Sequence, residues 1–387
     1  MPDGMARASG HPIFEPNNNR VTCKAGMAGI RGPGFAPGDE EIEMDRQELV
    51  SYINPRNQEL ILLPTEHCNF RCKYCYEDFE LGQMSPELVQ AIKLLILKRL
   101  PKLDRFNISW FGGEPLMGKS VVYELGEFAM RECEAAGVNY SAAMTTNGFG
   151  LDPKTFDTLV AMKVLRYQIS LDGWEDEHDK TRVMISGRGT FAKIWENLLA
   201  MRDNPRQFRI NLRLHFHKDN LDSIRHLIRE IHAAFGHDSR FYVYLKAVGN
   251  WGGESVKTLN LEKNPEVVLE ELNGMMRDLG WFDDRVLEGK HYKVCYAAQP
   301  NSLVVRADGS ITKCTVAFND PRNKIGHVNM DGSLELDNDK IRAFMGGFAT
   351  NDKEMLGCPM SKLPKLHEIK VVKFERKPQP QEEAVPA

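Results

Sequence analysis

From Glu59 onward, short apolar runs of strand length alternate with longer stretches whose apolar positions recur at helical spacing. ELILLP (59–64), FNISWF (106–111), YSAAMT (140–145), VLRYQIS (164–170), FRINLRLHF (208–216) and RFYVYLK (240–246) read as strands. Between them, Ser85-Pro86 opens a helix as N-cap and first helical residue, and Asp152-Pro153 opens another in the same way. Further helices are expected near 118–136, 191–203 and 219–235, the last capped by Asp219. Six strand-then-helix units predict an α/β fold, a parallel sheet with helices outside, closed or nearly closed. Ligand sites in such folds lie at the carboxyl ends of the strands.

The texture differs at both ends. Residues 1–55 are rich in Gly, Pro and Asn and read as a loop-rich lead-in. Beyond about residue 285, short strand-like runs are joined by Asp308-Gly309 and Asp331-Gly332 turns. The expected organisation is a lead-in (1–55), a core (56–285), a small α+β unit (286–368) and a Pro- and Glu-rich disordered tail (369–387).

Composition narrows the class. The chain has 387 residues, 42% hydrophobic and 27% charged, which is globular and long enough for more than one domain. A formal charge of −4 argues against nucleic acid as the main partner. No apolar stretch approaches the roughly 20 residues of a membrane span, and the N-terminus shows no secretory h-region. A cytoplasmic location follows as the expectation, and there the eight cysteines read as metal ligands rather than disulfides.

Three of them, Cys68, Cys72 and Cys75, crowd into eight residues directly after the first strand. Three thiolates on one tight loop can hold three irons of a [4Fe–4S] cube and leave the fourth without a protein ligand. Structural zinc prefers paired knuckles, and no second knuckle stands nearby. A ferredoxin run would use CxxCxxC with a further Cys before Pro, which is absent. Cys133 reads as a small buried hydrophobe and Cys23 as an incidental thiol. His215 and His217 share one strand face, open to a catalytic or a hydrogen-bonded core role. After the sixth strand, the Gly-rich run around Trp251 reads as a loop that permits close approach and offers stacking area.

CNFRCKYC (68–75), with Tyr74 before the last Cys, resembles the CxxxCxΦC motif of the radical S-adenosylmethionine (radical SAM) superfamily. Gly112-Gly113-Glu114-Pro115 after the second strand is similar to its GGEP segment. Thr146-Asn147-Gly148 ends the third strand, and Ser170-Leu171-Asp172-Gly173 with His178-Asp179 and Arg182 follows the fourth. The resemblance implies a partial (β/α)6 barrel with a [4Fe–4S] cluster on Cys68, Cys72 and Cys75 and a SAM pocket. Tyr74, Gly112, Gly113, Glu114, Asn147 and Ser170 are the SAM-pocket residues it implies, with Arg213 and Asn220 weaker ones. The glycines would let backbone carbonyls approach the methionine amino group.

The SLDG…HD..R stretch looks like the peptide- and protein-modifying branch, whose C-terminal extension is called SPASM or, in shorter form, twitch. Cys295, Gly309 and Cys314 match the opening of that extension. From Cys358 the full pattern CxxCxxxxxCxxxC is broken by Ser361, His367 and Val371, so the region resembles twitch more than SPASM. One auxiliary [4Fe–4S] cluster on Cys295, Cys314 and Cys358 is implied, with no assigned fourth ligand.

By this resemblance the chain is a radical SAM oxidoreductase, a maturase acting on a ribosomally made peptide or protein by crosslinking, dehydrogenation or epimerisation. An external one-electron donor of the flavodoxin or ferredoxin type and a separate leader-peptide-binding protein are the implied partners. Two other readings stand beside it, a radical SAM enzyme acting on a small molecule and an iron–sulfur carrier or sensor without SAM chemistry, while a sulfatase-maturing activity would call for the full cysteine set.

Overall fold

In the computed structural model, residues 46–281 and 294–364 are described, so the tail and nearly all of the lead-in, Cys23 included, lie outside the described residues. Six strands form the core: β1 (Asn57–Leu62), β2 (Arg105–Trp110), β3 (Asn139–Thr146), β4 (Val164–Leu171), β5 (Arg209–Phe216) and β6 (Phe241–Ala247). They run parallel and in chain order across the sheet. Their alternating burial explains the layout. Ile108, Tyr167, Ile169, Leu212 and Leu214 point outward beneath the helices, while Ser109, Gln168, Ser170, Asn211 and Arg213 face the concave lumen.

Helices α1 (Arg46–Tyr52), α2 (Pro86–Arg99), α3 (Lys119–Ala135), α4 (Pro153–Ala161), α5 (Glu175–Thr181), α6 (Phe191–Arg202), α7 (Leu221–Phe235) and α8 (Pro265–Asp278) accompany these strands. Ser85 and Asp152 cap α2 and α4 as expected, accepting from the N–H groups of Leu88 and Thr155. Cys133 is buried on α3. The N-terminus of α7 departs from expectation. Its N-cap is Asn220, and a 3-10 turn (Lys218–Asn220) precedes it. There the His217 ring accepts from the Asp219 N–H and the Asn220 side-chain Oδ1 accepts from the His217 N–H. Asp219 instead takes a bond from Asn260.

The sheet does not close from β6 back onto β1. Strand β7 (Ser302–Val305) adds parallel to β1, and β8 (Ser310–Thr312), β9 (Lys324–Val328) and β10 (Leu334–Leu336) continue antiparallel, giving the order β10-β9-β8-β7-β1-β2-β3-β4-β5-β6. The Asp-Gly pairs sit in the β7–β8 and β9–β10 turns. Gly309 and Gly332 adopt φ near +83° and +78°, and Asp308 and Asp331 accept from Ser310 and Ser333. Short helices α9 (Asn338–Phe344), α10 (Gly346–Thr350), α11 (Lys353–Gly357) and α12 (Pro359–Lys362) follow. No helix among the described residues is long and apolar enough to cross a membrane.

Candidate functional site

The Cys68–Cys75 loop leaves the carboxyl end of β1 and is pinned from several sides. Its N–H groups at Arg71 and Lys73 donate to the carbonyls of Val183 and Thr181, at 2.8 and 3.0 Å. Asn69 accepts from Asn147 at the end of β3 at 2.8 Å. Below it pass Gly112 and Gly113. A Cβ on Gly112 would stand 2.3 Å from the Thr65 carbonyl oxygen, and one on Gly113 2.4 Å from that of Glu66. The pair is therefore needed so that the cysteine loop can lie against the β2 end, a constraint separate from any approach to a ligand.

Glu114 is buried, and its carboxylate is fully engaged. It accepts from the Leu116 N–H (3.0 Å), the Thr146 hydroxyl (2.7 Å) and the Asn147 N–H (2.6 Å), tying the ends of β2 and β3 together. Burial pushes its pKa up against these bonds.

A second network lies behind the loop; it joins Tyr74, expected in the SAM pocket, and His215 to Asp172 and Arg182, which the motif contained without a role. Arg182 donates to the Tyr74 hydroxyl at 2.7 Å, and that hydroxyl donates to Asp172 at 2.9 Å. The His215 Nδ1 lies 3.1 Å from the Tyr74 oxygen and 3.4 Å from Asp172, whose other oxygen accepts from Thr181. Burial would raise the Asp172 carboxyl, but the His215 hydrogen bond and the Arg182 charge outweigh it and hold it below the usual range. Asn220 donates to the carbonyls of Asp172 and His215, so the structure gives it a bracing position under this network.

His178 and His215 are both buried, and burial lowers each to about 4. In the unfolded chain a histidine takes up its proton near 6.5, so between pH 6.5 and 4 the unfolded state binds more protons and stability falls with pH. We expect stability to be flat from pH 7 to 8 and to fall as the pH drops below 6.5, by about 1.4 kcal/mol per histidine per pH unit. A melting temperature unchanged from pH 7 to 5 would count against this.

Cys68 is buried and Cys72 and Cys75 half-buried. Burial lifts the Cys68 and Cys75 thiols to about 12, the charge of Glu114 adding at Cys68 and that of Cys72 adding at Cys75. Among the described residues no three His, Cys, Asp or Glu side chains already surround a metal position. The loop instead offers three mutually coupled thiols, too buried to ionise together without a cation, which suits a multi-iron centre.

Ser170 and Arg213 are register partners facing the lumen, and the buried Arg213 Nε has no hydrogen-bond partner among the described residues. With Tyr76, Arg213 borders a cavity of about 720 Å³ lined by the inner strand faces, Trp251 and the Cys295–Tyr296 segment. At its floor Glu59, which the sequence reading missed, accepts from Asn107, Ser109 and Ser302.

The extension brings its three cysteines together. The Cys295 N–H donates to the Leu356 carbonyl two residues before Cys358, and Cys295 feels the charges of both Cys314 and Cys358. Asn323, also missed, wraps the Cys314 loop. Its carbonyl oxygen accepts from the N–H groups of Lys313 and Cys314, and its amide donates to the Cys314 and Ala317 carbonyls. His367 and Val371 lie outside the described residues. The extension and the core are joined by an ion pair: Arg306, after β7, holds the fully buried Glu66 in two bonds of 3.0 and 2.5 Å.

Comparison with known proteins agrees with this geometry. Residues 62–231 match the family model described as the radical SAM superfamily. A cysteine-type anaerobic sulfatase-maturating enzyme of Clostridium novyi is 24% identical over 324 residues, 77% of this chain and 84% of that protein. Among solved structures, native anSMEcpe with bound AdoMet superposes with TM-score 0.58 at 18% identity, covering 74% of this chain and 83% of the other. Streptococcus suis SuiB bound to precursor peptide SuiA gives 0.51 at 13% identity, covering 78% and 69%.

Proposed function

Because residues 62–231 are a radical SAM domain, we propose that this chain reductively cleaves SAM at a [4Fe–4S] cluster held by Cys68, Cys72 and Cys75 and uses the radical to modify a peptide or protein. The observation that carries the reading is a loop of three coupled thiols fixed at the mouth of a polar lumen. When bound, the cluster and SAM supply the one-electron cleavage and the hydrogen-abstracting radical. The chain's own residues position and dry the site. Gly112 and Gly113 seat the loop, Asn147 braces Asn69, and Tyr74 is held by Arg182 and Asp172. Arg213 lines the lumen with Ser170 beside it in register, so a carboxylate would find an unpaired guanidinium N–H and a ribose the neighbouring hydroxyl.

A peptide substrate is supported by the relatives: the sulfatase-maturating enzyme matures a protein, and SuiB was captured with a precursor peptide. In our reading Cys295, Cys314 and Cys358 hold one auxiliary cluster where the extension borders the lumen, placed to take an electron from the substrate. The tests are direct. Cys68→Ala, Cys72→Ala and Cys75→Ala should each abolish 5′-deoxyadenosine formation from SAM and dithionite. Cys314→Ala should spare that cleavage and lower the iron content by about four per chain. Wild-type protein that makes no 5′-deoxyadenosine after reconstitution would sink the enzyme reading, and unchanged iron in Cys314→Ala the auxiliary cluster.

A further inference from the structure

The lumen carries an unbalanced charge. Arg166, Arg213 and Lys246 border the cavity, against Glu59 as its one lining carboxylate. Glu59 is satisfied by three protein donors, and Arg166 already donates to Asn107. Arg213 and Lys246 have no ion-pair partner among the described residues, and the buried Arg213 Nε lacks any hydrogen bond there. Both point inward from neighbouring strands. Arg213 pairs in register with Tyr244, and Lys246, two residues on, with His215.

The surroundings of Lys246 face what enters from solvent. Tyr244 is 46% exposed, and the loop that follows presents Trp251 at 58% exposed on the cavity rim. That loop is seated by Gly253, where a Cβ would stand 2.4 Å from the Cys75 carbonyl oxygen, so Trp251 is fixed beside the cysteine loop. Tyr76, Phe111 and Tyr296 complete an aromatic collar. A half-buried cation below an aromatic rim binds an anion with a planar or apolar neighbour, because partial exclusion of water strengthens the charge pairing and the rings stack the flanking residue.

We propose that the lumen selects a substrate segment bearing a carboxylate, from a Glu or Asp side chain or a free C-terminus, which Lys246 pairs while the adjacent residue lies on Trp251. This rests on the peptide reading above and names the kind of peptide. Lys246 gives the preference, and Arg213 shares the anion or is taken by the SAM carboxylate.

The test uses the reconstituted, SAM-loaded full chain and amidated hexapeptides Ala-Gly-Tyr-X-Ala-Gly with X as Glu, Gln or Lys, plus the Gln peptide as free acid. Dissociation constants are measured by calorimetry, and 5′-deoxyadenosine formation is measured on the same preparation. The Glu peptide, or the free-acid peptide if the terminus is the source, should bind about tenfold tighter than the amidated Gln peptide, and the Lys peptide weakest. Lys246→Gln should level this series and Lys246→Glu should reverse it, an inversion that misfolding cannot mimic. If neither carboxylate peptide binds tighter than the amidated Gln peptide, whether all bind or none does, the proposal is overturned. An order unchanged in Lys246→Glu overturns it too. Protein that forms 5′-deoxyadenosine yet shows no charge preference overturns only this inference; protein that forms none overturns the radical reading.

Discussion

Arg306→Met is expected to destabilise the protein by about 3–5 kcal/mol, the usual cost of removing one partner from a buried pair. Glu66 is fully buried, and the Arg306 side chain is 13% exposed. Without the guanidinium, the Glu66 carboxylate keeps only the Ala307 N–H at 3.3 Å. It would also face Glu77, whose carboxyl burial and the Glu66 charge already push to about 8 while Arg306 opposes them. Two buried acids would then lose their common cation. Urea unfolding followed by circular dichroism measures the effect. A double Glu66→Met, Arg306→Met chain should recover most of the loss, since the stranded charge is gone. An Arg306→Met chain within about 1 kcal/mol of the natural protein would show that the pair does not join core and extension as described.

Gly113→Ala is expected to abolish iron binding at the cysteine loop with little change in helix content. The added methyl would stand 2.4 Å from the Glu66 carbonyl oxygen and 2.6 Å from that of His67. Those are backbone atoms, and the His67 carbonyl already accepts from the Glu114 N–H at 3.0 Å, so the loop cannot yield locally. It must lift off the β2 end and carry Cys68 with it. Reconstituted variant should hold about four irons fewer per chain and form no 5′-deoxyadenosine. Wild-type iron content with normal cleavage would mean the loop has slack the structure does not show.

The core strands were legible because each is a short apolar run ended by turn residues, and all six begin and end within two residues of expectation. Ser85 and Asp152 were legible for the same local reason, a capping side chain before Pro. Asn264-Pro265 carries that signature too and opens α8, which the reading passed over. What stayed hidden is long-range. Nothing local to SLVV says that it pairs with β1 as well as with β8 of its own unit, because register between distant strands is set by packing. Glu66 next to the cysteine loop reads as an ordinary surface acid until Arg306 arrives beside it. The motif glycines were visible, but the backbone they admit could be seen only once the loop was folded over them.

The pairing of β7 with β1 also fixes an order of events during synthesis. Glu66 and Arg306 are 240 residues apart in the chain, and at ribosomal speeds that interval lasts tens of seconds. Throughout it, one side of β1 has no strand beside it, and Glu66, two residues before Cys68, lacks its counter-charge. The bonds to Asn147, Thr181 and Val183 can form within that interval, but the β1 side of the site would be locked only as the last fifth of the polypeptide emerged. Iron delivered before that moment would meet a loop held from the β3 and β4 side alone.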